Sequence, residues 1–266
     1  MSYPITRAFR LRLHFLLLVL IVQVLGHSLA FAQANIQGQW TTLPTSMPIN
    51  PVHVAMLHTG KVLVVSGSGN VANNTNYQAG LWDPITDTVT TQPLAWDMFC
   101  NGMVVLPDGK PLVVGGTLQY DPFFGQQNVA MYDPATNGFT NVQSMTHGRW
   151  YPTPTTLGDG RVMAFSGLDV TGSTTSTVEI YSEGQGWTLA GTAPFTSALY
   201  PRMHLLPNGN VFMSGPATSS AMFQPSQNSL FLHARVGPHF PTLLKANTFV
   251  PSISPFNTFV SFSARA

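Results

Sequence analysis

Two short stretches of this sequence hold the side chains best suited to redox chemistry. One is Asp97-Met98-Phe99-Cys100-Asn101-Gly102, which contains the single cysteine of the chain, and the other is Arg149-Trp150-Tyr151-Pro152. Both run into the same kind of turn. Cys100 lies nine residues before Gly109 of Pro107-Asp108-Gly109, and Tyr151 lies nine residues before Gly160 of Gly158-Asp159-Gly160. If those turns are equivalent points of a repeat, the thiol and the phenol occupy equivalent points on neighbouring units. Placed that way they can touch and share a site.

The turns do belong to a repeat. Gly60, Gly109, Gly160 and Gly209 follow one another at spacings of 49, 51 and 49 residues. Each precedes a short apolar strand: Val62-Leu63-Val64-Val65, Pro111-Leu112-Val113-Val114, Val162-Met163-Ala164-Phe165 and Val211-Phe212-Met213. Later in each unit an aromatic opens another turn, at Trp82-Asp83-Pro84, Tyr132-Asp133-Pro134, Tyr181-Ser182 and Phe223-Gln224-Pro225. A period near 50 residues, with four short strands per unit and no helical pattern, predicts an all-β fold, a kelch-type β-propeller with four recognisable blades. A four-stranded sheet cannot cover both of its own faces, so neighbours must pack around an axis. The strand before each turn is then innermost. Pro51, Cys100, Tyr151 and Tyr200 stand at the same offset from their turn glycines. Side chains alternate with period two, so equal offset means equal face. Cys100 and Tyr151 are therefore expected near the axis, on adjacent blades, at one end.

Composition narrows the function. Charged residues are 8% of the 266-residue chain, against about 25% in ordinary globular domains. Residues 33–229 carry five Lys or Arg and all ten Asp and Glu, net −5, which argues against nucleic acid and anionic membranes as partners. Arg7, Arg10 and Arg12 precede a largely apolar run from Leu13 to Leu25, and Ala30-Phe31-Ala32 follows. Residues 1–32 read as a secretory signal peptide cleaved after Ala32, because the run is shorter than the ~20 residues that span a bilayer. Secreted or periplasmic localisation is expected, with no membrane association after cleavage. In such a compartment a lone thiol is either a small buried hydrophobe or covalently used. The propeller is read over residues 33–229. Residues 230–266 contain no Asp or Glu and no turn of the repeat kind, and are read as an aberrant, poorly ordered tail, for instance from a frameshift.

The two stretches, with the repeat frame over roughly residues 36–229, resemble the copper radical oxidases: galactose oxidase and, more closely, the glyoxal oxidases. The resemblance implies that the Cys100 sulfur is bonded to the Tyr151 ring, that Tyr151 ligates copper, and that the linked ring stores a radical. It implies oxidation of a small alcohol, aldehyde or carbohydrate with dioxygen reduced to peroxide. A single copper ion performing a two-electron oxidation needs a second one-electron store, and a sulfur beside the hydroxyl makes a phenol easier to oxidise. It also implies seven blades and a further domain, with a Tyr-His pair and another histidine completing the copper site. Here Tyr200 is followed by Pro201 rather than histidine, and no histidine pair has metal-ligand spacing. Tyr200, His53, His58, His147 and His204 are therefore expected to be structural, with only His147 near the site. The chain by itself, read as truncated, is expected to bind copper weakly, with little cross-link or turnover. The alternative reading is a non-catalytic secreted propeller. It would bind glycans or proteins through the Asn70–Gln78 and Leu118–Gln127 loops, which carry Tyr77, Tyr120, Phe123 and Phe124.

Overall fold

The structure is a computed structural model that describes residues 42–216, 220–225 and 229–233. The expected signal segment and nearly all of the expected tail lie outside those residues. The compact unit that carries the strands begins at Thr45.

Four antiparallel four-stranded sheets follow one another along the chain. The first is formed by β1 (His53–Met56), β2 (Val62–Gly67), β3 (Gln78–Asp83) and β4 (Thr88–Pro93). The second contains β5 (Gly102–Val105) and β6 (Pro111–Val114). It is interrupted by a two-stranded ribbon, β7 (Thr117–Gln119) with β8 (Phe124–Gly125), and completed by β9 (Val129–Asp133) and β10 (Gly138–Val142). The third is β11 (Thr153–Thr156), β12 (Val162–Phe165), β13 (Thr177–Ser182) and β14 (Gly186–Thr192). The fourth is β15 (Met203–Leu205), β16 (Val211–Met213), β17 (Ser220–Gln224) and β18 (Ser229–His233). β18 runs across the change in composition at Ser229, since a ladder is made by backbone groups whatever the side-chain pattern.

The repeat glycines build the hairpins between first and second strands. In each, a leucine carbonyl accepts from the glycine N–H: Leu57 from Gly60, Leu106 from Gly109, Leu157 from Gly160 and Leu206 from Gly209, at 2.9–3.0 Å. All four glycines have φ between +81° and +88°, the left-handed geometry that closes such a loop at least cost when no Cβ is present. The second strands are apolar on both faces because both faces are covered. Leu63, Val65 and Val113 share one core with Ala130 and Tyr132. Leu112 and Val114 turn the other way, into a core with Val162 and Ala164. Met163 and Phe165 pack with Val211, Met213 and Phe223. Each core thus joins two consecutive sheets, and the four sheets are blades of a β-propeller. The first strands neighbour one another in order, β1 against β5, β5 against β11, β11 against β15.

Candidate redox site at the blade entrances

The first strands of the second, third and fourth sheets are each entered through a residue in a left-handed conformation, and those residues are the ones found by offset. Cys100, Tyr151 and Tyr200 have φ of +59°, +64° and +47°. Such values are uncommon for side chains with a Cβ and persist where the surroundings enforce them. The surroundings here are a backbone ladder from blade to blade. The Tyr151 N–H donates to the Cys100 carbonyl at 3.0 Å, and the Tyr200 N–H donates to the Tyr151 carbonyl at 3.0 Å.

Local chemistry fixes the Cys100 turn. The buried Asp97 carboxylate accepts from the N–H groups of Ser68 (2.7 Å) and Phe99 (2.9 Å). Thr117 donates its hydroxyl to the Phe99 carbonyl at 2.8 Å. The Asn101 amide donates to the Met98 carbonyl at 2.7 Å. The Tyr151 segment is fixed by Arg149, whose side chain is fully buried. Its guanidinium donates to the Ser166 carbonyl (2.9 Å), to Thr177, and to the buried Glu179 carboxylate (2.8 Å). The Arg149 carbonyl accepts from Gly116 N–H at 3.0 Å. A Cβ at the preceding Gly115 would lie 2.2 Å from that same carbonyl oxygen, so only glycine permits this approach.

Cys100, Phe99 and Trp150 form one buried cluster, with Tyr120, Phe123 and Tyr151 packed against it. Four aromatic rings make a column. Phe123 stacks on Trp150 (centroids 4.2 Å), Trp150 on Tyr151 (3.8 Å, 6° between planes) and Tyr151 on Tyr200 (4.3 Å, 19°). Tyr120 and Phe123 are thus committed to packing at the site. Tyr77 packs against the core between the first two sheets. These contacts take three of the loop aromatics away from an outward-facing binding surface.

Burial pushes the Cys100 thiol up to about 12, against a hydrogen bond with the Tyr151 hydroxyl that lowers it. Burial likewise raises the Tyr151 phenol, and contact with the thiol adds to the effect. At neutral pH both groups keep their hydrogens, so Cys100 is not a thiolate nucleophile.

The structure corrects the expectation for two residues. Tyr200, read as structural, stacks on Tyr151, and His53, read likewise, meets Tyr200 in turn. The Tyr200 hydroxyl lies 2.9 Å from His53 Nε2 and donates to the Asn101 carbonyl at 2.7 Å. The sequence held a signal for both. Tyr200 has the Tyr151 offset, and His53 is two residues past Pro51, on the same face of the pleat. Reading Pro201 as an incomplete ligand motif obscured it. His147 instead sits beside Glu179, Nδ1 to Oε2 3.6 Å, behind Arg149. His204 pairs with Ser214 at 2.9 Å. No group of three or more His, Cys, Asp or Glu side chains gathers among the described residues.

Burial pushes His53 down from its ordinary 6.5 to about 4, and the nearby Asn101 backbone opposes the shift. For a base with a lowered folded pKa, the unfolded chain takes the proton first, so acid destabilises. This contribution is full above pH 6.5 and is lost as pH falls towards about 4. His53→Gln is expected to flatten that limb of the urea-unfolding stability curve. An unchanged slope would show that His53 is not buried neutral.

Comparison with known proteins places the chain. Over 235 residues it is 25% identical to an aldehyde oxidase, GLOX, of Vitis pseudoreticulata, covering 76% of this chain and 42% of that protein. Over 212 residues it is 27% identical to galactose oxidase of Gibberella zeae, covering 71% of this chain and 30% of the relative. The chain is a relative of the glyoxal and galactose oxidases. It spans less than half the length of these oxidase relatives. A fungal alcohol oxidase of the AA5 family, solved in complex with copper, aligns with a TM-score of 0.41 at 13% identity, covering 74% of this chain and 67% of that one. No family model matches the chain.

Proposed function

We propose that this chain carries the redox pair of a secreted copper radical oxidase, which oxidises a primary alcohol, an aldehyde or a carbohydrate and reduces dioxygen to hydrogen peroxide. Cys100 and Tyr151 are its cofactor residues, and Tyr151 would hold the copper through its phenol oxygen. The observation that carries this reading is the contact of a buried, protonated thiol with a stacked phenol on the next blade. Joining them replaces the S–H of Cys100 and one ring C–H of Tyr151 by a single S–C bond. Two electrons and two protons leave, and dioxygen takes them as peroxide. The joined sulfur donates into the ring and lowers its oxidation potential.

Copper, when bound, supplies the second one-electron store and a Lewis acid for the substrate oxygen. The donors fit copper(II) in kind, since it favours imidazole nitrogen and oxygen in a tetragonal set. Tyr151 offers the phenol, and the imidazole brought to the cluster is that of His53, already engaged with Tyr200. The chain's own residues do the rest. Trp150 covers one face of the Tyr151 ring and Tyr200 the other, shielding a ring-centred radical from water.

Two outcomes follow for the 266-residue chain. Copper affinity is expected to be weak and turnover slow, since a phenol and a single imidazole give copper few ligands. Cross-linking is expected under excess copper and air, because Cys100 and Tyr151 already pack in one cluster. Intact-mass analysis should show the loss of two hydrogens, together with loss of the titratable thiol. A thiol that persists at full titre under these conditions would sink the assignment.

A further inference from the structure

We propose that Tyr200 is a positioning residue for the Cys100–Tyr151 pair, holding both partners at once, and that His53 fixes the direction of its hydroxyl. This rests on the redox reading of that pair. Three separate contacts carry it. The Tyr200 N–H holds the Tyr151 carbonyl at 3.0 Å. Its ring lies on the Tyr151 ring at 4.3 Å and 19°. Its hydroxyl donates to the carbonyl of Asn101, the residue that follows Cys100, at 2.7 Å. One side chain from the fourth blade therefore ties the backbone beside the sulfur, on the second blade, to the ring that the sulfur must meet, on the third.

The need for such a tie follows from the geometry of the bond. An S–C bond to an aromatic carbon forms in the plane of the ring, beside the hydroxyl. A tilt of the phenol out of that plane withdraws the carbon from the sulfur. Trp150 blocks tilting towards one face but belongs to the same segment as Tyr151 and would move with it. Tyr200 blocks the other face from a different blade, so it can hold the ring against the sulfur's own blade. A phenol has a single hydrogen. With that hydrogen on the Asn101 carbonyl, the phenol oxygen is left to accept, and the neutral His53 can donate Nε2–H to it across 2.9 Å. His53 then keeps the hydroxyl from turning away from Asn101. His53 and Tyr200 also meet edge to face, with centroids at 5.8 Å.

The test compares Tyr200→Phe, Tyr200→Leu and His53→Phe with the parent chain. Tyr200→Phe keeps the ring and the backbone contact and loses only the hydroxyl. Each chain is incubated with copper(II) in air, and cross-linking is followed by intact mass. Tyr200→Phe is expected to cross-link about tenfold more slowly, the worth of one net hydrogen bond. His53→Phe, which also removes the imidazole offered to copper, is judged by the copper-free alkylation rate, where it should act in the same direction as Tyr200→Phe. Tyr200→Leu should be slower still. Rates are compared at equal fraction folded, from thermal melts of the same samples. A Tyr200→Phe rate equal to the parent's, or a slowing that vanishes at equal fraction folded, overturns the proposal. A second readout keeps it separate from the redox reading. Without copper, alkylation of the Cys100 thiol by iodoacetamide should be about tenfold faster in Tyr200→Phe, as the tie on Asn101 is released. If the parent chain forms no cross-link, the redox reading fails. The tie is then judged by alkylation alone, where a ratio near one overturns it.

Discussion

Arg149→Met is expected to lower the stability of the chain by about 3–5 kcal/mol, the usual cost of removing one partner of a buried ion pair. Arg149 and Glu179 both have fully buried side chains, 2.8 Å apart. Methionine approximates the volume of the arginine but leaves the carboxylate of Glu179 with the N–H groups of Thr146 and His147 and the His147 ring 3.6 Å away. It also strips a donor from the carbonyls of Ser166 and Thr177. Small domains are stable by only about 5–15 kcal/mol in total, so this single change should leave a large unfolded fraction at mild urea concentrations. Glu179→Gln should also be costly, because it leaves the fully buried Arg149 guanidinium without its counter-charge and turns an amide NH2 towards other donors. The effect reaches the redox pair because Arg149 is two residues from Tyr151, and its carbonyl is held by the second blade through Gly116. Urea unfolding followed by tryptophan fluorescence measures the difference. A loss below about 1 kcal/mol would mean that water or a shifted chain solvates the stranded carboxylate, as at an exposed pair.

Cys100→Ser and Tyr151→Phe are each expected to abolish both the cross-link and any copper-dependent peroxide above the level of copper alone. The two changes remove different things. Serine keeps a small side chain at a buried position but has no sulfur to join the ring, and an unpaired buried hydroxyl costs about 1–3 kcal/mol. Phenylalanine keeps the stack between Trp150 and Tyr200 but has no hydroxyl to yield a phenoxyl radical or to bind copper. Electron paramagnetic resonance after treatment with a one-electron oxidant such as hexachloroiridate(IV) separates the cases. The parent should give a sulfur-substituted tyrosyl signal, Cys100→Ser an ordinary tyrosyl signal, and Tyr151→Phe neither at that ring. Peroxide release that survives in both variants would move the chemistry away from this pair.

Most of the scaffold could be read from spacing, because the constraints that make it are local. A glycine at φ near +85° is needed to close each hairpin, so glycines recur at the blade period. A strand packed on both faces must be apolar throughout, so Val62–Val65 and its counterparts lack alternation. The equivalence of Cys100 and Tyr151 follows from the same frame, and their left-handed φ values agree with it.

What spacing does not contain is the direction each side chain takes once the blades are side by side. Tyr200 and His53 are 147 residues apart in sequence, and Arg149 and Glu179 are 30 apart. The aromatic column takes one ring from the ribbon of the second blade, two from the entrance of the third and one from the entrance of the fourth. The sequence by itself determined that a thiol and a phenol occupy matching points of adjacent blades, because a repeat period and a two-residue pleat are properties of the backbone. Only the tertiary structure decided that Tyr200, His53 and the Arg149–Glu179 pair hold them. Those contacts depend on rotamers and burial set jointly by four blades, and a side chain's partner distant along the chain leaves no mark in its own strand.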